Sequence, residues 1–291
     1  MEERRYDRTA EDLGNIVNLG HLNLGVADQL ISTVFYVTGL GLTRDPYINT
    51  GIGNMWVNVG MSQFHLPTGK PERFRGVTGM VMPDRAALLD RLVRVRKALD
   101  GTEFDFRESN DAVEMVCPWG NRMRCHDPDE SRFGPVSLGM AYLDFDVRPG
   151  TAAGIARFYR EIIGAHAEVT EADGTPCARV AVGAGQAFLF RETDAPEAPY
   201  DGHHLQIYVC DFSGPYNKLL ARDLVFQESN QHQYRFKDIV DLDTGAVLHT
   251  IDHEVRSMQH PLYGRPLVNR DPAQNLQRYR PGRDDRPWSL A

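Results

Sequence analysis

The chain repeats one order of secondary structure four times, and this repetition limits its fold more than any other feature. Each repeat spans about 55 residues: an alternating apolar strand comes first, an amphipathic helix follows, and two or three strands complete it. The opening strands are "HLNLGV", "GVTGMVM", "MAYLDFDV" and "HHLQIYV", in chain order. The sequence therefore predicts four βαβββ units.

The units fall into two halves, separated by a natural hinge, "DESRFGP", at residues 129–135. The sequence predicts a first domain at 15–130, made of unit 1 (15–70) and unit 2 (72–130), and a second domain at 136–257, made of unit 3 (136–194) and unit 4 (201–257). Residues 258–291 are rich in arginine, proline and aspartate. We expect them to form a C-terminal tail that wraps the surface or is partly ordered.

Smaller motifs also recur between units. Phe35–Tyr36 precedes a glycine turn in unit 1, Phe158–Tyr159 precedes one in unit 3, and the turns "PWGNRM" and "DTGAVL" precede the last strands of units 2 and 4. With these motifs, residues 15 to 257 resemble the vicinal oxygen chelate superfamily, which includes glyoxalase I, bleomycin resistance proteins and extradiol dioxygenases. The resemblance implies an α+β fold of two tandem glyoxalase-like domains, each with two βαβββ units whose curved mixed sheets enclose a cavity. It does not choose a reaction, because this fold hosts many chemistries.

The resemblance also implies where metal ligands lie, namely at the start of the first strand and in the last strand of each paired unit. In unit 1 these positions hold His21 and His65, and in unit 4 they hold His204 and His249. In units 2 and 3 they hold residues that do not suit a metal: Val77, Arg124, Met140 and about Phe190.

The two histidine pairs have nearly equal spacing. His65 follows His21 by 44 residues, and His249 follows His204 by 45. If unit 1 paired with unit 2, and unit 3 with unit 4, each cavity would hold only two histidines. We therefore hypothesise that unit 1 pairs with unit 4 and that all four imidazoles bind one metal. The alternative is a degenerate, metal-free protein that binds a small molecule, as the resistance proteins do.

Imidazole ligands suit several transition metals. We expect one divalent ion per chain, with Fe(II) favoured and Mn, Co, Ni or Zn as alternatives. Relatives that move protons use a metal-associated glutamate, whereas both last-strand positions here hold histidine. This difference favours a metal-dependent oxygenase (dioxygenase) over an isomerase or lyase of the glyoxalase or epimerase type. No single catalytic residue is assigned.

Inward-facing residues of units 1 and 4 predict the wall of the substrate pocket. Their aromatic rings and amides suit a small chelating substrate that is aromatic or enolisable. The predicted pocket residues are Asn23, Trp56, Asn58, Gln63, Gln206, Tyr208, Tyr234 and Phe236. Residues 254–270 follow the last ligand strand, and we expect them either to close over the cavity as a lid or to form a strap on a dimer surface.

Charge and hydrophobicity exclude several partners. The net charge of −8 leaves no basic surface for nucleic acid. No apolar run approaches the roughly 18 residues that cross a bilayer, and no signal peptide is recognisable. We expect a cytoplasmic protein without a membrane partner. The expected partners are a small-molecule substrate, dioxygen if the protein is an oxygenase, and a second copy of the chain if it forms a homodimer.

Overall fold

The computed structural model of the protein describes residues 6–172 and 174–271. Within them, each predicted unit has its strand, its helix and its three following strands. Unit 1 consists of β1 (Ile16–Asn23), α1 (Gln29–Ser32, continued by a π-helical turn, Thr33–Gly39), β2 (Thr43–Arg44), β3 (Asn54–Val59) and β4 (Ser62–Pro67). Unit 2 consists of β5 (Gly76–Val81), α2 (Arg85–Val95), β6 (Asp105–Glu108), β7 (Val113–Val116) and β8 (Arg122–His126).

A short helix, α3 (Glu130–Phe133), lies in the predicted hinge. Unit 3 consists of β9 (Gly139–Val147), α4 (Ala152–Phe158, continued by a π-helical turn, Tyr159–Ile163), β10 (Ala167–Ala172), β11 (Thr175–Gly183) and β12 (Gln186–Glu192). Unit 4 consists of β13 (His204–Val209), α5 (Ser213–Leu220), β14 (Val225–Asn230), β15 (Gln233–Val240) and β16 (Val247–Ser257). The α+β fold class is confirmed.

The strands form two mixed eight-stranded sheets, and each sheet takes one unit from each half of the sequence. The first sheet has the order β14-β15-β16-β13-β1-β4-β3-β2, which joins unit 4 to unit 1. The second has the order β10-β11-β12-β9-β5-β8-β7-β6, which joins unit 3 to unit 2. The predicted pairing of unit 1 with unit 4 is therefore confirmed. The domain limits 15–130 and 136–257 group the units by sequence order instead, and they stay a prediction.

The first sheet has two chemically different faces, because side chains alternate along each strand. One face is apolar and packs against the helices: Phe64 of β4 lies against Tyr36, with ring centroids 5.1 Å apart, and Tyr234 of β15 lies against Tyr216 of α5 at 5.2 Å. The other face carries polar residues such as His21 and Gln63, which are also buried. Buried polar groups need hydrogen-bond partners or a bound ligand, so this buried polar face is a candidate binding site.

The described part of the predicted tail, residues 258–271, crosses this polar face of the first sheet. We call it the C-terminal segment. Residues 272–291, the rest of the predicted tail, lie outside the described residues. None of the described helices is both long and apolar enough to span a membrane.

Candidate metal centre

Three of the four predicted imidazoles meet on the polar face of the first sheet. Strand β4 runs parallel to β1 and sets His65 beside Asn23, while β13 runs antiparallel and sets His204 opposite the same Asn23. Each of His21, His65 and His204 offers a ring nitrogen, and the three nitrogens lie within 4.8 Å of one another. Since metal–nitrogen bonds are about 2.0–2.1 Å long, this spacing is close to that of ligands around one ion.

Three ring nitrogens of His21 and His65 are buried and lack protein partners among the described residues. Nε2 of His21 and both ring nitrogens of His65 have no hydrogen-bond partner in the part of the chain that the structure describes. Leaving such a group unsatisfied costs about 1–3 kcal/mol, and a bound cation would remove that cost. The donor set therefore fits a metal.

The protonation state of these histidines also fits. Burial, assisted by the charge of Arg256, lowers the pKa of His65 to about 4 and brings that of His21 well below the ordinary value. Burial and the nearby Arg235 lower the pKa of His204 to about 2. All three imidazoles are thus neutral at pH 7, which is the form that binds a metal.

Trp56 holds two of these rings in place. Its indole stacks on His65 with ring centroids 4.0 Å apart and planes 12° from parallel, and it meets His21 edge-on at 4.9 Å. Strand pairing explains the stack, since Trp56 of β3 lies directly opposite His65 of β4. The indole thus walls one side of the centre with an apolar surface.

The prediction of His249 as a fourth ligand needs correction. Residues 249, 251 and 253 of β16 point into the apolar core, whereas 252, 254 and 256 point to the polar face. The His249 ring lies against Phe145 and Phe190 of the second sheet, with centroids 5.8 and 5.9 Å away, and its Nδ1 is 3.7 Å from Glu197. His249 therefore lies on the opposite face of the sheet from the other three histidines, although the two histidine pairs have nearly equal spacing along the chain.

Strand register identifies Glu254 as the residue that takes the place predicted for His249. In unit 1, His65 pairs with the residue two positions after His21. In unit 4, the residue two positions after His204 is Gln206, and its partner is Glu254. Glu254 is only 3% exposed, and its Oε2 lies 3.7 Å from Nε2 of His204. Glu254 was not among the predicted site residues, because equal spacing along the chain pointed to His249.

Two arginines hold the Glu254 carboxylate. Arg256 places Nη2 2.6 Å from Oε1, and Arg235 pairs with Oε2. Arg235 also donates to Asp252 at 2.9 Å, and its Nη2 is 3.4 Å from Nε2 of His204. Glu254 does not join the group of three close ring nitrogens. The centre therefore has three imidazoles and a neighbouring carboxylate that is already paired.

Six of the eight predicted pocket residues share the polar face with the histidines: Asn23, Trp56, Asn58, Gln63, Gln206 and Tyr208. The prediction is wrong for Tyr234 and Phe236, which point into the core. Phe236 stacks on His253 with centroids 4.2 Å apart, and Tyr234 packs on Phe212 at 5.1 Å. Arg235 lies between them in β15 and faces the polar side, where its Nη2 approaches His204. It was not among the predicted pocket residues.

A cavity of about 320 Å³ lies between this face and the C-terminal segment. Asn269 fixes the segment, because its side chain accepts from the backbone N–H of Gly60 at 3.0 Å and donates to its carbonyl at 2.8 Å. Asn58 donates to the carbonyl of Val268 at 2.9 Å. Of the two predicted arrangements for residues 254–270, the structure shows the one that covers the cavity.

The second sheet lacks an equivalent centre. The same register analysis places Val77, Arg124, Tyr142 and Leu189 where the first sheet has His21, His65, His204 and Glu254. The unit 2 positions, Val77 and Arg124, are the predicted ones. The unit 3 positions are Tyr142 and Leu189, in place of the predicted Met140 and Phe190. Arg124 pairs with Glu114, and the Tyr142 hydroxyl lies 2.8 Å from Nε2 of His126. Within the described residues, the first sheet holds the one group of potential ligands.

Comparison with known proteins agrees with this architecture. No protein-family model matches the chain, and no curated protein matches it significantly. Solved structures do match. A Bacillus subtilis protein named as a candidate dioxygenase is 16% identical, with 84% of this chain and 86% of that one covered and a TM-score of 0.53.

Glyoxalase I from Zea mays is 10% identical, with 82% of this chain and 92% of that one covered and a TM-score of 0.54. A mutant of the maize enzyme matches with a TM-score of 0.56, at the same identity and coverage. Identities this low establish the fold alone. The chain therefore has the fold of the vicinal oxygen chelate superfamily, with four βαβββ units arranged as two glyoxalase-like sheets.

Proposed function

We propose that the protein is a metal-dependent oxygenase of the vicinal oxygen chelate type, acting on a small chelating substrate, with His21, His65 and His204 as the protein ligands. One observation carries the proposal: three neutral imidazoles from three adjacent strands direct their ring nitrogens to one buried point. Three protein ligands leave several positions of a six-coordinate ion open, enough for substrate and dioxygen.

Fe(II) is the ion we favour, and Mn, Co, Ni or Zn also suit imidazole ligands. A bound redox-active ion would supply chelation of substrate oxygens and activation of dioxygen. The chain itself orients the ligands through Trp56, offers the amide nitrogen of Gln206 and the amide oxygen of Gln63 to the substrate, and covers the site with the C-terminal segment.

The surroundings of Glu254 support an oxygenase over a proton-transferring enzyme. A general base needs a free lone pair within hydrogen-bond reach of the substrate proton. Oε2 of Glu254 is ion-paired with Arg235, and Oε1 lies 2.6 Å from Nη2 of Arg256, although Oε1 accepts no hydrogen bond from the described residues. A carboxylate held between two arginines would have to leave them to reach a substrate proton, whereas oxygen chemistry on a chelated anion needs no such base.

An isomerase or lyase of the glyoxalase or epimerase type is the second candidate, because Glu254 lies only 3.7 Å from His204. If the arginines released it, this carboxylate would be the metal-associated glutamate of such enzymes. A metal-free small-molecule-binding protein is the remaining alternative.

The test begins with elemental analysis of the protein purified without chelator or His-tag. We expect about one transition metal per chain, as a single three-imidazole site would hold. Oxygen uptake with catechols and enolisable acids would then support the oxygenase. Turnover under strict anaerobiosis with Ni, Co or Zn would favour the isomerase or lyase. Failure to bind metal after reconstitution would leave the metal-free binding protein.

A further inference from the structure

The cavity beside the metal centre presents positive charge and hydrogen-bond donors. Among the described residues that line it, the two formally charged ones are both arginines: Arg256 from β16 and Arg265 from the C-terminal segment. Their carboxylate partners, Glu254 and Asp45, do not belong to the lining. A ligand in this cavity therefore meets guanidinium groups and no carboxylate.

Arg265 is held so that part of its guanidinium stays available. Nη2 pairs with the buried carboxylate of Asp45. Asp45 is itself fixed, because it accepts from Nε2 of Gln63 at 3.0 Å and from the backbone N–H of Tyr47 at 2.8 Å. Nη1 of Arg265 is buried and has no partner among the residues that the structure describes. One donor of a rigidly positioned arginine thus remains to be satisfied.

A second unsatisfied donor lies next to the metal centre. Gln206 is 1% exposed and sits directly opposite His21 in the β1–β13 pair. Its Nε2 lacks a hydrogen-bond partner within the described part of the chain. Gly20 makes room for this amide, since a Cβ there would lie 1.9 Å from Oε1 of Gln206. The amide nitrogen and the imidazole thus line the same cavity.

Two tyrosines pack edge-to-face and line the cavity with aromatic surface. Tyr208 of β13 and Tyr263 of the C-terminal segment have ring centroids 4.9 Å apart. The Tyr208 hydroxyl lies 3.4 Å from Nη1 of Arg256, so the aromatic surface and the charged group are adjacent. With a volume of about 320 Å³, the cavity is at the small end of ligand pockets.

We propose that this cavity binds a small organic oxyanion, with its carboxylate or phosphonate-type group on Arg256 and Arg265 and its remaining oxygens toward His21 and Gln206. Planar guanidiniums match such oxyanions geometrically and form charge-assisted hydrogen bonds with them. The part of this inference that concerns the metal-facing oxygens rests on the proposed function. The proposed contacts between the anionic group and the two arginines rest on the cavity lining alone.

The experiment uses a pair of probes of similar size that differ in charge. Benzoate and benzamide are titrated calorimetrically into the full chain, once metal-free and once loaded with Co(II). We expect benzoate to bind about tenfold more tightly than benzamide in both forms, because hydrogen bonds to charged groups are the stronger ones. Phenylphosphonate, titrated in the same way, distinguishes a carboxylate site from one that prefers phosphate-like groups.

Arg265→Gln should remove most of the preference for benzoate, with Arg256 keeping the rest, and should leave benzamide binding unchanged. Arg265→Lys, which keeps the charge, should retain part of the preference. Arg270→Gln is the matched control, because it removes a charge from the same segment outside this cavity. Equal affinities of the wild type for both probes would overturn the inference, and so would an equal loss of both in Arg265→Gln. If the protein could not be loaded with metal at all but still preferred benzoate, only the proposed metal-dependent function would be refuted.

Discussion

The Glu254 carboxylate lies 3.7 Å from Nε2 of His204, and Arg235 contacts both residues. Arg235 therefore competes with a metal ion for the same two groups. Its position gives a way to ask whether Glu254 is a ligand, a base or a structural ion-pair partner.

Replacing Arg235 by methionine should release Glu254 toward the ion. We expect Arg235→Met to raise the affinity for Co(II) about tenfold, the size of effect that residues next to ligands commonly have. Glu254→Gln should change affinity little in the wild type and abolish the gain in the Arg235→Met background. Competition with a chromophoric chelator measures all four proteins of this double-mutant cycle. A large loss of affinity from Glu254→Gln alone would mean that Glu254 already binds the metal.

Metal content should separate the three clustered histidines from the fourth. Removing any one of His21, His65 and His204 by alanine substitution should reduce bound metal to near zero per chain, because each supplies one of three ligands. His249→Gln is the control, since that ring packs in the core among Phe145 and Phe190. We expect it to keep its metal even if its thermal stability falls. Loss of metal from folded His249→Gln, shown by elemental analysis, would contradict the assignment.

Acid should destabilise the metal-free protein partly through His126. Burial lowers the pKa of this histidine, which is 3% exposed and bonds to the Tyr142 hydroxyl. The unfolded state therefore binds more protons than the folded state just below pH 6.5. The contribution of His126 to stability is complete above that pH and falls as the pH drops, by at most about 1.4 kcal/mol per pH unit.

Urea unfolding at pH 7, 6 and 5 measures this effect. The difference in unfolding free energy between the wild type and His126→Gln should shrink as the pH falls. A constant difference would show that His126 titrates alike in both states. Because His126 lies in the second sheet, the measurement does not depend on the metal centre.

Asn269 should keep the cavity covered. Its two hydrogen bonds to the backbone of Gly60 are buried, so Asn269→Ala should lower the free energy of unfolding, or of local detachment, by about 1–3 kcal/mol. Hydrogen exchange should then speed up at Gly60 and in residues 260–270, with metal content unchanged. Unaltered exchange in the variant would mean that other contacts, such as the Arg265–Asp45 pair, suffice to hold the segment.

The sequence allowed the units, their order and the pairing of unit 1 with unit 4 to be predicted, because hydrophobic period and repeated motifs carry that information. It misplaced the last ligand position. Strands β15 and β16 pair with irregularities between Phe236 and Asp238 and between Ile239 and Val240. Such irregularities break the relation between residue count and position in a sheet. The strands of unit 4 are also longer than those of unit 1, with eight residues in β15 and 11 in β16 against six each in β3 and β4. Counting 45 residues from His204 reaches His249 on the core face, five residues before Glu254.

A one-residue error of alternation explains the two wrong pocket residues. The sequence predicts Tyr234 and Phe236 as aromatic pocket walls, but the residue between them, Arg235, is the one that faces the site. Side-chain period along a strand is two, so a shift of one residue reverses every assignment. Aromatic character alone did not decide which face was polar. The strand pairing in the structure identifies the polar face, because it sets His204 beside Asp252.

The arrangement of the sheets has a consequence for how the protein is made. The second sheet is complete once residue 192 has been synthesised, whereas β1 must wait for β13 to reach its open edge. Until then the growing chain displays an unpaired strand edge, which invites association with other chains. His21 and His65 are synthesised before the second sheet, and His204 follows only after that sheet is complete. Metal capture would then mark a chain whose synthesis has reached unit 4, and a product that ends before residue 204 would lack one of the three ligands.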